Sequence, residues 1–357
     1  MSAPLPWFSV SGRLKLALLG TVIVAVLAVG VRPWEVGESA RAARAQPGAV
    51  AFGIDARPTR DDADLARHLG TRLVRMEFPI GARARDLRPT IEGYARHGIQ
   101  VLPLAGFHGR LPTRREARNL AGWAREFGPR SRFWRGRDRS LAVRAIEFGN
   151  ETSFTHQFGD TASAPSYVRR AKIYALRFRT AQKAISRRSR GVGLLAQGDD
   201  GGSGTAAWVD TLFATVPDLA RRAAGWTVHP YGPDWQQRMD DLVSNVGEHG
   251  DQRLPIYVTE WGLSSDDGRC LDDNYGWNPC MSFGEAADTL QSTMAQMRGR
   301  YGSRLRAVIL FQLRDQQLPG KVHDREGYFG AFQARGSGKG PWTDAVHGLV
   351  SRSSPLG

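Results

Sequence analysis

The chain has 357 residues, which is enough for one large core, and a single barrel domain of about 250 residues or more fits within that length. Apolar residues make up 41% and aromatic residues 9% of the chain, a composition that excludes a wholly disordered protein. The formal net charge is +14, but the arginines are spread over nearly every predicted helix, so we interpret them as solvated helix faces and predict no nucleic-acid partner.

The first predicted element is an apolar segment near the N-terminus. Arg13 and Lys15 precede an uncharged run of sixteen residues from Leu16 to Val31. This run is slightly long for the core of a signal peptide and slightly short for a membrane-spanning helix, which needs about 20 residues. We predict residues 1–32 as a signal peptide or an uncleaved signal anchor, followed by a polar spacer over 33–48. Both alternatives place the rest of the chain outside the cytoplasm, either secreted or membrane-anchored.

After the spacer, short apolar runs alternate with stretches of helical periodicity, a pattern typical of β/α repetition and a parallel sheet. The predicted strands cover residues 50–55, 73–78, 100–105, 145–148, 193–196, 225–228, 255–259 and 305–313. The predicted helices cover residues 61–69, 88–97, 114–127, 166–187, 206–215, 235–246, 282–300 and 342–350. Eight strands in strict alternation with helices predict an α/β fold, a closed (β/α)8 TIM barrel. We place it in one catalytic domain, 49–350, followed by a tail, 351–357.

Catalytic groups of such barrels lie at the carboxyl ends of the strands. Polar residues at or near the predicted strand ends are Asp55, Arg75, Glu77, His108, Asn150, Glu151, Asp199, His229, Tyr231, Glu260, Arg314 and Asp315. Glu151 and Glu260 follow the fourth and seventh strands, which face each other across the barrel mouth. Cleavage of a glycosidic bond needs two carboxyl groups that flank one sugar, so this pair is the first candidate for catalysis. The histidines are scattered, and we predict no metal and no cofactor.

Three segments of the chain resemble the clan A glycoside hydrolases, which are retaining enzymes on (β/α)8 barrels. Residues 146–151 read Ile-Glu-Phe-Gly-Asn-Glu and look like the strand-four motif, in which Asn-Glu carries the acid/base. Residues 258–262 read Val-Thr-Glu-Trp-Gly and look like the strand-seven motif, in which Glu is the nucleophile. Residues 228–231 read Val-His-Pro-Tyr and look like strand six, whose Tyr contacts the nucleophile. The similarity spans roughly residues 49–330.

The resemblance implies hydrolysis of a β-linked glycan or glycoside by double displacement. Glu151 would act as acid/base and Glu260 as nucleophile, and Arg75 would keep Glu260 ionised. The chain departs from the family pattern in two places. Thr152 stands where members often have Pro, and residues 310–313 read Leu-Phe-Gln-Leu where many members have a Trp as a sugar platform. The second departure leaves the substrate open.

Further residues are candidates for substrate binding or for support of the catalytic pair: Asn150, His229, Tyr231, Glu77, His108, Trp261 and Trp277. The amide of Asn150 can hold a sugar hydroxyl. For Glu77 and for Trp261, a structural role and a sugar contact are equal alternatives. Trp277 lies in a polar loop, where we expect it to contact substrate. Glu147 is expected to be a buried structural carboxylate paired with an arginine.

Cys270 and Cys280 flank a loop rich in Asp, Asn and Gly. In an oxidising compartment we expect them to form a local disulfide, and two free thiols are the alternative.

Two other functions stay open. A carbohydrate-binding barrel without turnover is motivated by Thr152 and by Phe311, which stands near the place of the family's Trp platform. A membrane-anchored envelope scaffold is motivated by the apolar N-terminal segment and the basic surface. The scaffold hypothesis predicts that the carboxyl groups of Glu151 and Glu260 lie too far apart to cooperate, or are blocked from solvent.

Overall fold

The structure is a computed structural model that describes residues 50–154, 166–198, 205–251, 253, 255–271, 278–316 and 325–357. The predicted N-terminal segment 1–32, the spacer 33–48 and Trp277 lie outside the described residues. Within the described ranges, no helix combines the length and the apolar character needed to cross a membrane.

Eight parallel strands form a closed barrel in sequence order, which confirms the predicted (β/α)8 TIM barrel. The strands are β1 (Ala51–Asp55), β2 (Leu73–Pro79), β3 (Gln100–Gly106), β4 (Ala145–Phe148), β5 (Gly193–Gln197), β6 (Gly225–Val228), β7 (Ile256–Trp261) and β8 (Leu305–Leu310). Pairing of β1 with β8, in a register that places Ala51 beside Ala307, closes the sheet. All strand carboxyl ends therefore point to one mouth of the barrel.

Eight α-helices follow the strands. They are α1 (Arg60–His68), α2 (Ala84–Arg96), α3 (Arg114–Phe127), α4 (Tyr167–Arg188), α5 (Thr205–Thr215), α6 (Trp235–Glu248), α7 (Phe283–Tyr301) and α8 (Pro341–Val350). Helix α3 begins with a capping box, in which Glu116 N donates to the Thr113 hydroxyl and Thr113 N donates to the Glu116 carboxylate. Helix α2 begins about one turn earlier than predicted, because Asp86 accepts the backbone N–H of Arg83 at 2.8 Å and starts the helix there.

The core has two layers separated by the sheet. Inside the barrel, aliphatic side chains such as Leu73, Leu195 and Ile309 pack together. Between sheet and helices the layer is richer in aromatics, and Phe148 contacts Tyr174 with ring centroids 5.3 Å apart. Each large side chain buried in this way contributes about 1.5–3 kcal/mol. The two layers hold the strand ends rigidly, which is what a precise site at the mouth requires.

The eighth strand is shorter than predicted. It ends at Leu310 because the regular hydrogen bonding of the sheet stops there, and the following backbone N–H groups bond to the ends of β7 and β1. Phe311 N donates to the carbonyl of Trp261 at 2.8 Å, and Leu313 N donates to the carbonyl of Asp55 at 2.9 Å. Phe311 and Gln312 therefore lie in a connection at the barrel mouth instead of in a regular strand.

Candidate active site

The buried guanidinium of Arg75 is the centre of the polar cluster at the mouth. Its side chain is 2% exposed. Nε donates to Glu147 at 2.6 Å, and Nη1 donates both to Glu260 at 2.6 Å and to Asp55 at 2.7 Å. Nη2 donates to the amide oxygen of Asn150 at 2.7 Å. The predicted pairing of Glu147 with an arginine is confirmed, and the same arginine contacts Glu260, as the resemblance implied.

Glu260 lies near the end of β7 and is held at both carboxylate oxygens. Arg75 contacts Oε1, and the hydroxyl of Tyr231 donates to Oε2 at 3.3 Å. Burial and the charge of Glu260 raise the pKa of Tyr231 well above its usual value of 10. The phenol therefore stays protonated and acts as a donor. This geometry fixes the direction in which the carboxylate faces the cavity.

Glu151 follows β4 through a turn with left-handed backbone angles. Gly149 has φ 81° and Glu151 has φ 41°, which is uncommon for a residue with a Cβ atom and costs on the order of 1 kcal/mol. The next residue, Thr152, donates its backbone N–H to Gln197 Oε1 at 2.7 Å. A proline at this position could not make that bond. Thr152, which departs from the family pattern, is therefore held in place by a hydrogen bond that proline could not form.

His229 lies between the two candidate catalytic carboxylates. Its Nδ1 is 3.2 Å from Glu151 Oε1 and 3.7 Å from Glu260 Oε2, and its Nε2 is 3.1 Å from the hydroxyl of Thr259. Burial alone would lower the pKa of His229. The surrounding carboxylates outweigh that effect and raise its pKa to about 10. The ring is therefore an imidazolium at neutral pH, and both of its nitrogens are donors.

The pKa values of two more carboxyl groups shift in opposite directions, although Arg75 lowers both. Burial is the largest effect on Glu147 and would raise its pKa, but Arg75 and His229 together outweigh burial and lower that pKa to about 2. For Asp55, burial outweighs the attraction of Arg75 and raises the pKa to about 7. Glu147 is thus a permanent counter-ion below the site, whereas Asp55 changes its charge near neutral pH.

A cavity of about 870 Å³ opens above these residues. This volume lies in the range of small-molecule sites, about 300–1,000 Å³. The cavity is lined by charged and amide side chains and by aromatic ones, among them Asp55, Arg75, Asn150, Glu151, Tyr231, Glu260, Phe311, Gln312 and Phe329. One oxygen of Glu151 and one of Glu260 lie within 4.8 Å of each other. A larger cavity of about 1120 Å³ lies away from the mouth, between α7 and α8, and is lined by side chains such as Leu290 and Leu349.

The cluster of Glu151, His229 and Glu260 also has the spacing of a cation site, since one ligand atom of each lies within 4.8 Å of the others. Arg75 already contacts Glu260 at 2.6 Å and supplies a positive charge at that carboxylate.

The remaining predicted site residues fall into different places. Glu77 lines the cavity and lies 3.6 Å from Nε2 of His108 at the rim. It packs directly over Gly106, where a Cβ atom would come within 1.8 Å of Glu77 Oε1. Trp261 is 2% exposed and belongs to the hydrophobic core, which favours the packing alternative over sugar stacking. The Cα atoms of Cys270 and Cys280 are 5.3 Å apart, in disulfide geometry.

Several cavity residues did not enter the predicted site, and Asp55 and Gln312 are two of them. Asp55 was recognised as a strand-end residue, but nothing in the sequence indicated its contact with Arg75. Gln312 was placed inside a strand, which hid its position at the mouth. The signal that could have found it is its place directly after Phe311, where an aromatic platform was expected.

Comparison with known proteins shows the fold. A GH5_18 protein from Streptomyces cattleya, solved in complex with Manβ1-4GlcNAc, superposes with a TM-score of 0.60 at 16% identity, over 85% of this chain and 81% of that chain. For GH5_18 from Bifidobacterium longum subsp. longum the TM-score is 0.55 at 15% identity, over 86% of this chain and 81% of that one. A Bacteroides uniformis beta-glucuronidase gives 0.54 at 11% identity over 84% of this chain, which spans only 35% of that protein. No protein-family model and no curated protein matches the sequence.

At these identities the likeness establishes a shared barrel. The predicted (β/α)8 barrel fold is what this likeness confirms.

Proposed function

We propose that the protein is a retaining glycoside hydrolase that cleaves a β-linked glycan or glycoside, with Glu260 as nucleophile and Glu151 as acid/base. The observation that carries this proposal is the approach of the two carboxylates within 4.8 Å across one cavity. Retaining enzymes place their carboxyl groups about 5–5.5 Å apart, whereas inverting enzymes leave about 6.5–9.5 Å for a water molecule. An oxygen–oxygen distance of at most 4.8 Å between the two groups is compatible with the shorter spacing, which supports a retaining mechanism.

In the first step, a carboxylate oxygen of Glu260 attacks the anomeric carbon while the bond to the leaving oxygen breaks. Glu151 gives its proton to that oxygen. Arg75 and Tyr231 hold Glu260 by one oxygen each, so the attacking group is oriented before substrate arrives. His229 Nδ1 lies 3.7 Å from Glu260 Oε2, where its positive charge helps to keep the nucleophile ionised.

In the second step, water replaces the enzyme at the anomeric carbon. The negative charge of Glu260 is absent in the glycosyl ester, and Glu151, now a carboxylate, takes a proton from the attacking water. The new bond from carbon to the water oxygen forms as the ester bond to Glu260 breaks. Both residues then return to their starting protonation states. No cofactor takes part in this scheme.

The substitution Glu151→Ala tests the acid/base role. We expect kcat/KM for 4-nitrophenyl β-glycosides to fall by about 10²–10⁴-fold. The loss should be much smaller for 2,4-dinitrophenyl β-glycosides, whose leaving group needs no proton. Azide should accelerate the variant and yield a β-glycosyl azide, because a small anion can enter the space that the carboxylate vacates. The measurement is initial rates with and without azide, with product analysis by NMR.

The substrate panel follows the comparison structures, which carry the names glucosidase and beta-glucuronidase or a bound Manβ1-4GlcNAc. Aryl β-glucosides, β-mannosides and β-glucuronides, together with Manβ1-4GlcNAc, should include the active class. Equal losses for both leaving groups and no response to azide would assign the acid/base to another residue.

The scaffold alternative does not agree with the geometry. It predicts separated or covered carboxyl groups, but the side chains of Glu151 and Glu260 are 17% and 11% exposed and line a common cavity. Among the contacts between described residues, none specifically supports binding without turnover. Thr152 has its own partner, and Phe311 still lines the cavity as an aromatic residue.

We further propose an extracytoplasmic location, secreted or anchored through residues 1–32. The apolar run near the N-terminus and the cysteine pair support it. In protein purified from the native compartment, we expect Cys270 to be linked to Cys280. A thiol reagent should then modify neither sulfur until a reductant is added. With a sequence separation of 10, the link should stabilise the fold by about 3 kcal/mol.

Mass spectrometry of alkylated peptides detects the disulfide. Urea unfolding of a Cys270→Ser/Cys280→Ser variant measures its contribution to stability. Alkylation of both thiols without reductant would contradict the extracytoplasmic proposal.

A further inference from the structure

Two polar side chains at neighbouring strand ends line the mouth without a role in the proposed reaction. Asp55 ends β1, and Gln312 follows β8, which neighbours β1 in the closed barrel. The hydrogen bond from Leu313 N to the carbonyl of Asp55 ties the two strand ends together. Both side chains line the cavity that also contains Glu151 and Glu260.

Each of the two side chains has a hydrogen-bonding atom left over. Gln312 is 8% exposed; its Oε1 accepts from Gln316 at 2.7 Å, but its buried Nε2 has no hydrogen-bond partner. Asp55 binds Arg75 through Oδ2 at 2.7 Å, and among the described residues Oδ1 accepts no hydrogen bond. Buried polar atoms are nearly always paired, so the unpaired Nε2 of Gln312 needs an explanation.

The position of the pair relative to the nucleophile gives the explanation. The same Nη1 atom of Arg75 contacts Asp55 and Glu260, so the aspartate lies beside the nucleophile, within the span of one sugar ring. Phe311 and Phe329, whose ring centroids are 5.6 Å apart, add an apolar wall to the same cavity. Polar edges and an aromatic wall together match a pyranose, which has hydroxyls at its rim and C–H groups on its faces.

We propose that Asp55 and Gln312 form a specificity site for two neighbouring hydroxyls of the sugar ring that Glu260 attacks. Gln312 Nε2 donates to one hydroxyl, and Asp55 Oδ1 accepts from the next. This inference rests on the proposed function. Because a hydroxyl is both donor and acceptor, a donor–acceptor pair reads two adjacent hydroxyls and rejects sugars that lack either of them.

Binding to an inactive background tests the site apart from turnover. In Glu260→Gln protein, calorimetry would measure the affinity for the methyl β-glycoside of the active sugar and for its four deoxy analogues. Adding Gln312→Met should weaken binding of the parent glycoside about tenfold, which is the loss of one good hydrogen bond. One deoxy analogue should bind equally to the Glu260→Gln protein and to the Glu260→Gln/Gln312→Met protein, because it lacks the hydroxyl that Gln312 would bind.

Asp55→Asn provides a second variant, because asparagine keeps an oxygen for Arg75 but offers an NH2 group to the sugar. The deoxy analogue whose affinity is unchanged by Asp55→Asn should lack a different hydroxyl, adjacent to the one that Gln312 binds. Gln291→Met, at an exposed position of α7, controls for the substitution itself and should leave every affinity unchanged. Circular dichroism checks that each variant is folded.

If each variant lowered the affinity for every deoxy analogue by the same factor as for the parent glycoside, the specificity site would be overturned. The hydrolase proposal would not be affected. Sugar binding in the absence of any hydrolysis by the wild-type protein would contradict the hydrolase proposal alone. Failure of every panel sugar either to bind or to react would overturn both.

Discussion

Replacement of Glu260 by glutamine is expected to lower kcat by about 10⁴–10⁶-fold, the loss typical of removing an enzyme nucleophile. An amide oxygen attacks an anomeric carbon poorly, and its ester-like product would carry a charge. The substitution nearly preserves shape, so Arg75 and Tyr231 can still contact residue 260. We therefore expect sugar affinity to change by only a few-fold. The measurement is kcat on the aryl β-glycoside panel together with calorimetric binding.

Covalent labelling identifies the nucleophile independently. In a 2-deoxy-2-fluoro glycoside with a dinitrophenyl leaving group, the fluorine slows both steps, while the good leaving group keeps the first step fast enough for the intermediate to accumulate. Peptide mass spectrometry should find the label on Glu260. Glu248→Gln, a carboxylate change near the end of α6 and away from the mouth, is the matched control and should keep wild-type turnover.

Turnover within tenfold of wild type in Glu260→Gln, or a label on another residue, would contradict the assignment. If wild-type protein binds sugars with no hydrolysis and no label, the barrel is a binding protein, and the change at 260 has no turnover to remove.

Replacement of Arg75 by methionine should destabilise the fold by about 3–5 kcal/mol, because removing one partner of a buried ion pair leaves charge without compensation. Here the stranded groups are Glu147, Glu260 and Asp55, all in direct contact with the guanidinium. Activity should fall as well, since Glu260 loses one of its two orienting contacts. Urea unfolding followed by circular dichroism measures the first effect, and kcat/KM measures the second.

A second substitution separates charge from packing. In the Arg75→Met/Glu147→Gln protein, the most deeply buried of the unpaired carboxylates is neutral, so part of the lost stability should return. Arg75→Lys keeps the charge but cannot donate to four groups at once, and it should lie between wild type and methionine. A double variant no more stable than Arg75→Met would show that lost packing, not stranded charge, dominates.

The pH dependence of this effect has a definite sign. The pKa of Glu147 is about 2 in the folded protein, below its usual 4.5, so the folded state favours the ionised form. The stabilisation is fully present above about pH 4.5 and is lost as pH falls towards 2. The difference in unfolding free energy between wild type and Arg75→Met should therefore shrink over that interval.

The sequence was sufficient for the barrel and for the facing glutamates because both depend on regular rules. Alternating strand and helix patterns predict the barrel, and strand-end placement predicts which side chains meet. The same rules could have assigned Trp261. Neighbouring residues of a strand face opposite sides, so a Glu260 that points to the cavity sends Trp261 into the core.

Other features depend on details that no local pattern encodes. The contact of Asp55 with Arg75 joins side chains from two strands, and it depends on how one guanidinium is shared among several acceptors. The early end of β8 follows from bonds to residues far away in sequence, which also determine where Gln312 lies. Glutamate is not a residue that predicts left-handed backbone angles, so the turn at Glu151 had no signal.

At Glu151, the residue type that would best stabilise the turn differs from the one that the proposed activity requires. With φ at 41°, the position would suit glycine or asparagine better than glutamate. Selection for stability alone would favour those residues, whereas the proposed acid/base role requires a carboxylic acid there. Glu151→Gly and Glu151→Asn are therefore the substitutions expected to stabilise the fold while they remove the proposed acid/base.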